Sequence, residues 1–189
     1  MFPAGAKETL INADSERGFL SLGFDLGYDH IKLLNNNGTY SSYTGYIAGL
    51  QLGINPVRDL SIFVQYNLGN SSGEQVTSDT MTKTETFIGA KTYTSIGLFM
   101  GGGVSYYTQS ITNSQGTTQL NQYLSGFFVG YDFQLNENWT LGCSAWYKLG
   151  VIKKVDNPAL LSNSYSDNVQ AQFMFIWSPP STITKYYKN

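Results

Sequence analysis

The side chains that could do catalytic chemistry lie near one end of a strand-like segment. His30 is the only histidine in the chain, and Asp29, Ser41 and Ser42 lie close to it in sequence. An imidazole between an acid and a hydroxyl can act as a general base for acyl transfer. No recognisable motif surrounds these residues, so we predict that His30 is a polar residue at an interface and that the chain is not an enzyme.

The sequence gives even less support to metal binding, thiol chemistry or nucleic-acid binding than to catalysis by His30. Cys143 is the only cysteine, which excludes an internal disulfide. One histidine and one cysteine supply no ligand cluster, so we predict no metal site and no cofactor. The net charge of −2 lacks the basic footprint of a nucleic-acid-binding protein, and nucleic acid is not an expected partner.

The composition restricts the elements that can position these residues. Only 13% of the residues are charged, whereas 15% are aromatic, and 14 residues are tyrosine. No stretch approaches 18 consecutive apolar residues, which excludes a transmembrane helix. The remaining way to cross a membrane is a closed barrel, because hydrocarbon cannot satisfy an open strand edge.

Alternation of outward and inward residues with period two can be followed eight times along the chain. Short turns alternate with long polar segments, which is typical of bacterial outer-membrane barrels. We therefore predict an all-β, eight-stranded antiparallel up-and-down transmembrane β-barrel at 18–177, with periplasmic extensions at 1–17 and 178–189. Both termini are expected in the periplasm and four longer loops outside the cell. The predicted strands cover about 19–30, 43–55, 60–69, 82–91, 95–109, 121–134, 138–149 and 165–177, and the predicted loops cover 31–42, 70–81, 110–120 and 150–164.

Aromatic residues mark both ends of these strands on the apolar face. Tyrosine and tryptophan place an apolar ring and a polar tip at a membrane interface, so two such rings are expected to border the lipid-facing band. The predicted ring at the outer rim contains Tyr28, Tyr46, Tyr66, Tyr106, Tyr123 and Tyr147, and the opposite ring contains Phe133, Trp139 and Trp177.

The main alternative fold is a soluble barrel with its apolar face turned inward, as in lipocalins. The second face of such a barrel meets water and should be rich in lysine and glutamate. Here that face consists largely of glycine and large aromatics such as Phe63 and Trp146, which suits a narrow interior. The apolar face carries no charge between the rings, and we predict that it contacts lipid.

The polar and charged residues of the second face are predicted to lie in the lumen. They could line a cation path or form buried salt bridges within a hydrogen-bonded plug. Eight strands leave just enough interior for side chains, which favours the plug. The predicted lumen residues are Asp25, Asp29, Gln51, Gln65, Glu85, Lys91, Asp132 and Lys148.

The pattern and the aromatic-ended final segment at 168–177 resemble the small outer-membrane barrels of the OmpA, OmpX and OmpW kind. The resemblance implies residence in the bacterial outer membrane, contact with lipopolysaccharide and phospholipid, and recognition of the last strand by the assembly machinery. This sequence departs from the usual form because residues 178–189 continue past the last aromatic. That tail is too short for a folded peptidoglycan-binding domain.

The resemblance specifies the architecture better than the activity. We predict a structural or surface-interaction role with a lumen filled by side chains. One alternative is a narrow channel or carrier for small apolar solutes, as in OmpW. A second alternative is a lipid-A-modifying enzyme that uses His30.

One lipid-facing sector carries small side chains where leucine and phenylalanine are expected. Small residues allow close approach of two backbones within a membrane. The sector is therefore a predicted contact between copies of the chain in a homo-oligomer. Its residues are Thr84, Thr86, Ala90 and Gly102.

Overall fold

The computed structural model describes residues 19–34, 38–57, 59–76, 78–114, 116–155 and 166–179, with the backbone alone described at 151–155. Almost all of these residues belong to eight strands. The strands are β1 (Leu20–Leu34), β2 (Tyr40–Val57), β3 (Leu60–Gly73), β4 (Thr80–Tyr93), β5 (Leu98–Asn113), β6 (Gly116–Gln134), β7 (Trp139–Val155) and β8 (Ser166–Trp177).

The strands form one closed antiparallel barrel in sequence order. Each strand pairs with the strands before and after it, and β1 also pairs with β8 from Leu22↔Trp177 to Leu33↔Ser166. The predicted eight-stranded up-and-down architecture is confirmed. The part of the chain that the structure describes contains no helix long and apolar enough to cross a membrane. Residues 1–18 and 180–189 lie outside the described residues, so the predicted periplasmic extensions stay predictions.

The barrel has two ends, which we name by their aromatic residues. At the Tyr end, Tyr28 lies directly across from Tyr46 with ring centroids 5.8 Å apart, and Tyr106 and Tyr123 pair in the same way at 5.1 Å. At the Trp end, the centroids of Trp139 and Trp177 are 6.4 Å apart. Aromatic residues of each predicted ring therefore lie against one another across neighbouring strands on the outer surface.

The strands extend further at the Tyr end than the sequence predicts. β1 continues past Tyr28 to Leu34, and β5 ends at Asn113 only shortly before β6 begins at Gly116. Strand therefore occupies much of the segments predicted as long loops at 31–42, 70–81 and 110–120, and β7 continues to residue 155 within the segment predicted at 150–164. The reason is that the inward residues of these extensions stay buried and several of them are apolar, such as Ile31, Met81 and Ile111, while outward threonines and serines, which suit strands, face away from the lumen.

The outward face between the two aromatic rings is apolar and exposed. The exposed fraction is 58% for Leu50 and 67% for Phe173, values that belong to a surface and not to a core. Within the described residues, no charged side chain lies on this band. Exposure of such a continuous apolar surface to water is unfavourable, so the outer face of the barrel is suited to contact with a lipid bilayer.

Candidate functional site

The centre of the lumen is held by two buried ion pairs. Lys148 Nζ donates to Glu85 Oε1 at 2.5 Å, and the Lys83 ammonium contacts Asp29 Oδ2. All four side chains are fully buried. Asp29 comes from β1 and Lys148 from β7, and their partners both come from β4, so the pairs tie three strands together across the interior. Charges in such a site are stable only when they are paired and hydrogen-bonded.

Amide and phenol groups complete this layer. Gln170 accepts from Lys148 Nζ at 2.8 Å and donates to Tyr107 Oη at 3.0 Å. Gln172 donates to Gln170 Oε1 at 3.0 Å, and Gln65 donates to Gln172 Oε1 at 3.2 Å. The network therefore runs from the ammonium of β7 through β8 to β3 without a gap.

An aromatic plug fills the lumen between this layer and the Trp end. Phe128 and Trp146 stack with ring centroids 4.1 Å apart, and Phe87 meets Trp146 edge-on at 5.0 Å. Inward glycines make the room that these rings occupy. A Cβ at Gly101 would lie 2.7 Å from Phe128 Cε2, and one at Gly103 would lie 2.6 Å from Phe87 Cζ. The plug consists of Phe63, Phe87, Phe99, Phe128, Trp146, Met174 and Ile176.

A second apolar cluster lies in the lumen at the Tyr end, beyond the tyrosine ring. Its members are among the inward residues of the strand extensions. The cluster consists of Ile31, Leu33, Tyr43, Met81, Ile111 and Leu120. The lumen is thus occupied by an apolar cluster, an ionic and amide layer, and an aromatic plug, in that order from the Tyr end.

The Trp end opens into a small polar vestibule of about 60 Å³. Lys91 and Asp132 lie at its base, with Nζ and Oδ2 3.7 Å apart. Lys91 Nζ also lies 4.6 Å from the centroid of Phe99, one of the plug rings. The vestibule therefore ends at the aromatic plug.

All eight residues predicted for the lumen are buried there, with exposed fractions of 3% or less. The set lacks Lys83 and Tyr107, which are equally buried partners of the same network. Lys83 lies two positions before Glu85 on β4, so both side chains face the same side of the strand. The alternation alone would have placed Lys83 in the lumen. Nothing in the sequence singles out Tyr107 from the tyrosines of the outer ring except that it follows Tyr106 and so has the opposite parity.

No model of a protein family and no curated protein matches the sequence. Several solved structures match the fold. Neisserial surface protein A superposes with a TM-score of 0.55 at 15% identity, covering 84% of this chain and 97% of that chain. OprG from Pseudomonas aeruginosa gives 0.51 at 11% identity, with 86% and 97% covered. Ail, the attachment invasion locus protein of Yersinia pestis, gives 0.52 at 10% identity, with 85% and 99% covered. The chain has the fold of the small eight-stranded outer-membrane barrels.

His30 lies at the Tyr end of this outer-membrane-type barrel, and the acid beside it is Glu74 and not the suggested Asp29. Its Nδ1 lies 3.2 Å from Glu74 Oε1. Asp29 points into the lumen, where it contacts Lys83 and accepts a hydrogen bond from Ser71. The suggested acid is therefore engaged on the other side of the strand, because neighbouring residues of a strand face opposite ways.

The predicted oligomer sector lies on the outer wall of the barrel, across β4 and β5. Ala90 pairs directly with Gly102. A shallow apolar groove of about 490 Å³ includes Ala90 and is bordered by larger residues such as Met100 and Phe127. Thr84 and Thr86 lie on the same face nearer the Tyr end and are half-buried. The part of the sector around Ala90 thus lies in a depression in the outer wall.

Proposed function

We propose that this chain is an integral protein of the bacterial outer membrane with a closed lumen, and that it serves a structural or surface-interaction role through its Tyr end. The observation that carries the proposal is the sequence of three filled layers inside the barrel. The apolar exterior and the similarity in fold to outer-membrane proteins support the location. Lipopolysaccharide and phospholipid are then its immediate surroundings. The aromatic-ended β8 is the expected signal for the assembly machinery.

The direct test of a closed lumen is conductance in planar bilayers. We expect no steady conductance from the purified protein, because its apolar cluster, ion pairs and aromatic plug leave no continuous water path. A 16-stranded porin in the same bilayers, whose lumen is an aqueous channel, controls for the sensitivity of the recording. Steady channels from the wild-type protein would contradict the proposal.

The proposal also assigns an orientation, with the Tyr end outside the cell and both termini in the periplasm. It rests on the extension of the strands at the Tyr end, since outer-membrane barrels have short periplasmic turns. Ser78→Cys at the Tyr end and Asp59→Cys at the Trp end, both at exposed positions and each combined with Cys143→Ser, test it. On intact cells a membrane-impermeant maleimide should label the first variant and not the second. The reverse pattern would contradict the orientation.

The lumen and His30 weigh against the two alternative functions. A carrier of small apolar solutes needs a route into the barrel, and the plug around Phe128 and Trp146 occupies that space. A serine-type hydrolase needs an acid and a serine beside its histidine. Glu74 supplies an acid, but Asp29 is bound to Lys83, and the residue directly across from His30 is Thr44 and not a serine. We therefore infer a role without chemistry on a substrate.

We also propose that the sector around Ala90 and Gly102 is a contact between copies of the chain. The groove there supports the idea, since low relief allows two barrel walls to approach closely. Ala90→Cys in a Cys143→Ser background should yield a disulfide-linked dimer in native membranes under mild oxidation. Val169→Cys, also on the lipid face but on β8, serves as the matched control. Monomer alone from both variants would contradict the contact.

A further inference from the structure

We propose that Asp25 keeps its proton in the folded barrel at neutral pH, and that the stability of the barrel falls as the pH rises toward the loss of this proton. Asp25 lies in the lumen on β1, directly across from Met174, a member of the aromatic plug. Its exposed fraction is 1%. The folded barrel therefore encloses the carboxyl group completely.

The charge balance of the lumen leaves Asp25 without a counter-charge. Four carboxylates and three ammonium groups are buried among the described lumen residues. Three ion pairs join Asp29 to Lys83, Glu85 to Lys148, and Asp132 to Lys91. An ionised carboxylate buried without a counter-charge is costly, and a carboxyl group in such a place normally takes up a proton instead.

The charged groups that face Asp25 do not replace the missing counter-charge. They are Glu85 of β4 and Lys148 of β7. These two residues form an ion pair with Oε1 and Nζ 2.5 Å apart, so their opposite charges largely cancel at Asp25. On β1 itself, the carboxylate of Asp29 is neutralised by its contact with Lys83.

The other neighbours of Asp25 are neutral. Directly across from it lie Gly49 of β2 and Met174 of β8. From β3, Gln65 and Asn67 approach the carboxyl group. The Gln65 amide donates to it only weakly, since neither Asp25 oxygen has a hydrogen bond of ordinary geometry from the described residues. An ionised Asp25 would thus lack the strong donors that stabilise a buried carboxylate.

A hydrogen-bond acceptor faces the carboxyl group on the side of Gly49. Asn67 also pairs with this glycine, from β3. A methyl group at Gly49 would overlap Asn67 Oδ1 and lie 2.8 Å from Asp25 Oδ2, so both oxygens approach the same point. The Asn67 amide cannot turn over, because its Nδ2 donates to Glu85 Oε2 at 3.1 Å and an ionised carboxylate can only accept.

A proton on Asp25 meets both requirements of this place in the lumen. It removes the uncompensated charge, and the hydroxyl that it creates can donate to Asn67 Oδ1, which has no hydrogen bond from the described residues. The other Asp25 oxygen stays available as an acceptor for the Gln65 amide. A water molecule would supply the donor but would leave the charge.

The consequence is a pH dependence of stability with a definite sign. In the unfolded chain an aspartate releases its proton near pH ~4. Between that pH and the higher pH at which the folded barrel releases the proton, the folded state holds one proton more than the unfolded state. The contribution of Asp25 therefore raises the unfolding equilibrium constant by about tenfold per pH unit over this interval, and the contribution is constant above it.

The test compares urea unfolding of the full chain in detergent micelles with and without Asp25→Asn. Both proteins carry His30→Ala, which removes the only histidine and its titration in this range. The new amide has the shape of the protonated acid and can donate to Asn67 Oδ1, so the variant should fold. We expect the ratio of the unfolding constant of the parent to that of the variant to rise by at least about tenfold from about pH 5 to about pH 8.

Asp132→Asn is the matched control, because it removes a lumen carboxylate that is paired with Lys91. It should be less stable than the parent at every pH, and the same ratio should not rise. Infrared spectra of the wild type give a second readout that does not depend on the folding of Asp25→Asn. At neutral pH they should contain the C=O stretching band of one protonated carboxylic acid, which Asp132→Asn should keep. A ratio that does not change with pH for Asp25→Asn would overturn the proposal, as would the lack of this band.

Discussion

The ion pair between Lys148 and Glu85 offers the sharpest test of how the lumen is stabilised. Lys148→Met keeps most of the length of the side chain and removes the ammonium that donates to Glu85, to Gln170 and to Tyr107. Glu85 then retains only neutral donors among the partners described for it, the amides of Asn67 at 3.1 Å and Gln170 at 3.5 Å and the phenol of Tyr107. The carboxylate stays fully buried while its counter-charge is gone.

The expected loss is about 3–5 kcal/mol in the free energy of unfolding, the usual cost of removing one partner of a buried ion pair. Removing both charges should cost much less, because no uncompensated ion is left behind. Glu85→Gln combined with Lys148→Met should therefore recover about 2 kcal/mol or more relative to the sum of the two single changes. The exposed Lys32→Met is the control and should change stability by less than about 0.5 kcal/mol.

Urea unfolding in detergent micelles, followed by tryptophan fluorescence, measures these differences. Trp146 packs against Phe128 inside the plug, so its emission reports loss of the lumen packing directly. A Lys148→Met variant destabilised by less than about 1 kcal/mol would refute the coupling of the two charges. A double variant whose cost is the simple sum of the single ones would refute it equally, since the two charges would then not depend on each other.

Three further predictions concern the outer face, the plug and the rim. Leu50→Arg in the middle of the lipid-facing band should destabilise the protein in lipid vesicles by about 2–4 kcal/mol, whereas Thr82→Arg above the tyrosine ring should have little effect. Phe128→Ala should cost about 3–5 kcal/mol in urea unfolding because the surrounding rings cannot close the cavity. His30→Ala removes the contact with Glu74, and on a partly exposed pair the loss should stay below about 1 kcal/mol while any lipid-A-modifying activity of membranes containing the protein is unchanged.

The outer surface could be predicted from the sequence because contact with lipid favours apolar side chains at the outward positions. Outward residues between the rings are predominantly apolar, so the alternation from Leu20 to Tyr28 already reveals the strand and its exposed face. The register adds a consistency check. The sequence predicts only that Tyr28 and Tyr46 lie at the same end of the barrel. In the structure the two residues lie directly across from each other on neighbouring strands.

The ends of the strands could not be predicted in the same way. Above the tyrosine ring the outward residues contact water, so threonine and serine replace leucine and the alternation becomes hard to see. The inward residues Met81 and Ile111 keep the period, but each stands alone between polar neighbours. A loop and a strand extension therefore look similar in the sequence, and only the pairing of Asn113 with Gly116 reveals a tight connection.

The contacts inside the lumen could not be predicted from the sequence either. The alternation of inward and outward residues places Glu85 and Lys148 inside, but 63 positions separate them in the sequence. Their contact depends on how far the strands are staggered around the barrel. Tilt and stagger are properties of the closed sheet as a whole. The sequence therefore predicts which side chains enter the lumen and does not predict which of them meet.

The division between wall and lumen also explains why function is harder to infer than fold. The ion pair of Glu85 and Lys148 and the aromatic plug around Phe128 hold the strands together from inside, and the lipid-facing band holds them from outside. Neither set of contacts involves the outward residues above the tyrosine ring. Those residues can change with little effect on stability, so the part of the barrel that would meet a partner is the part on which folding places the weakest demand.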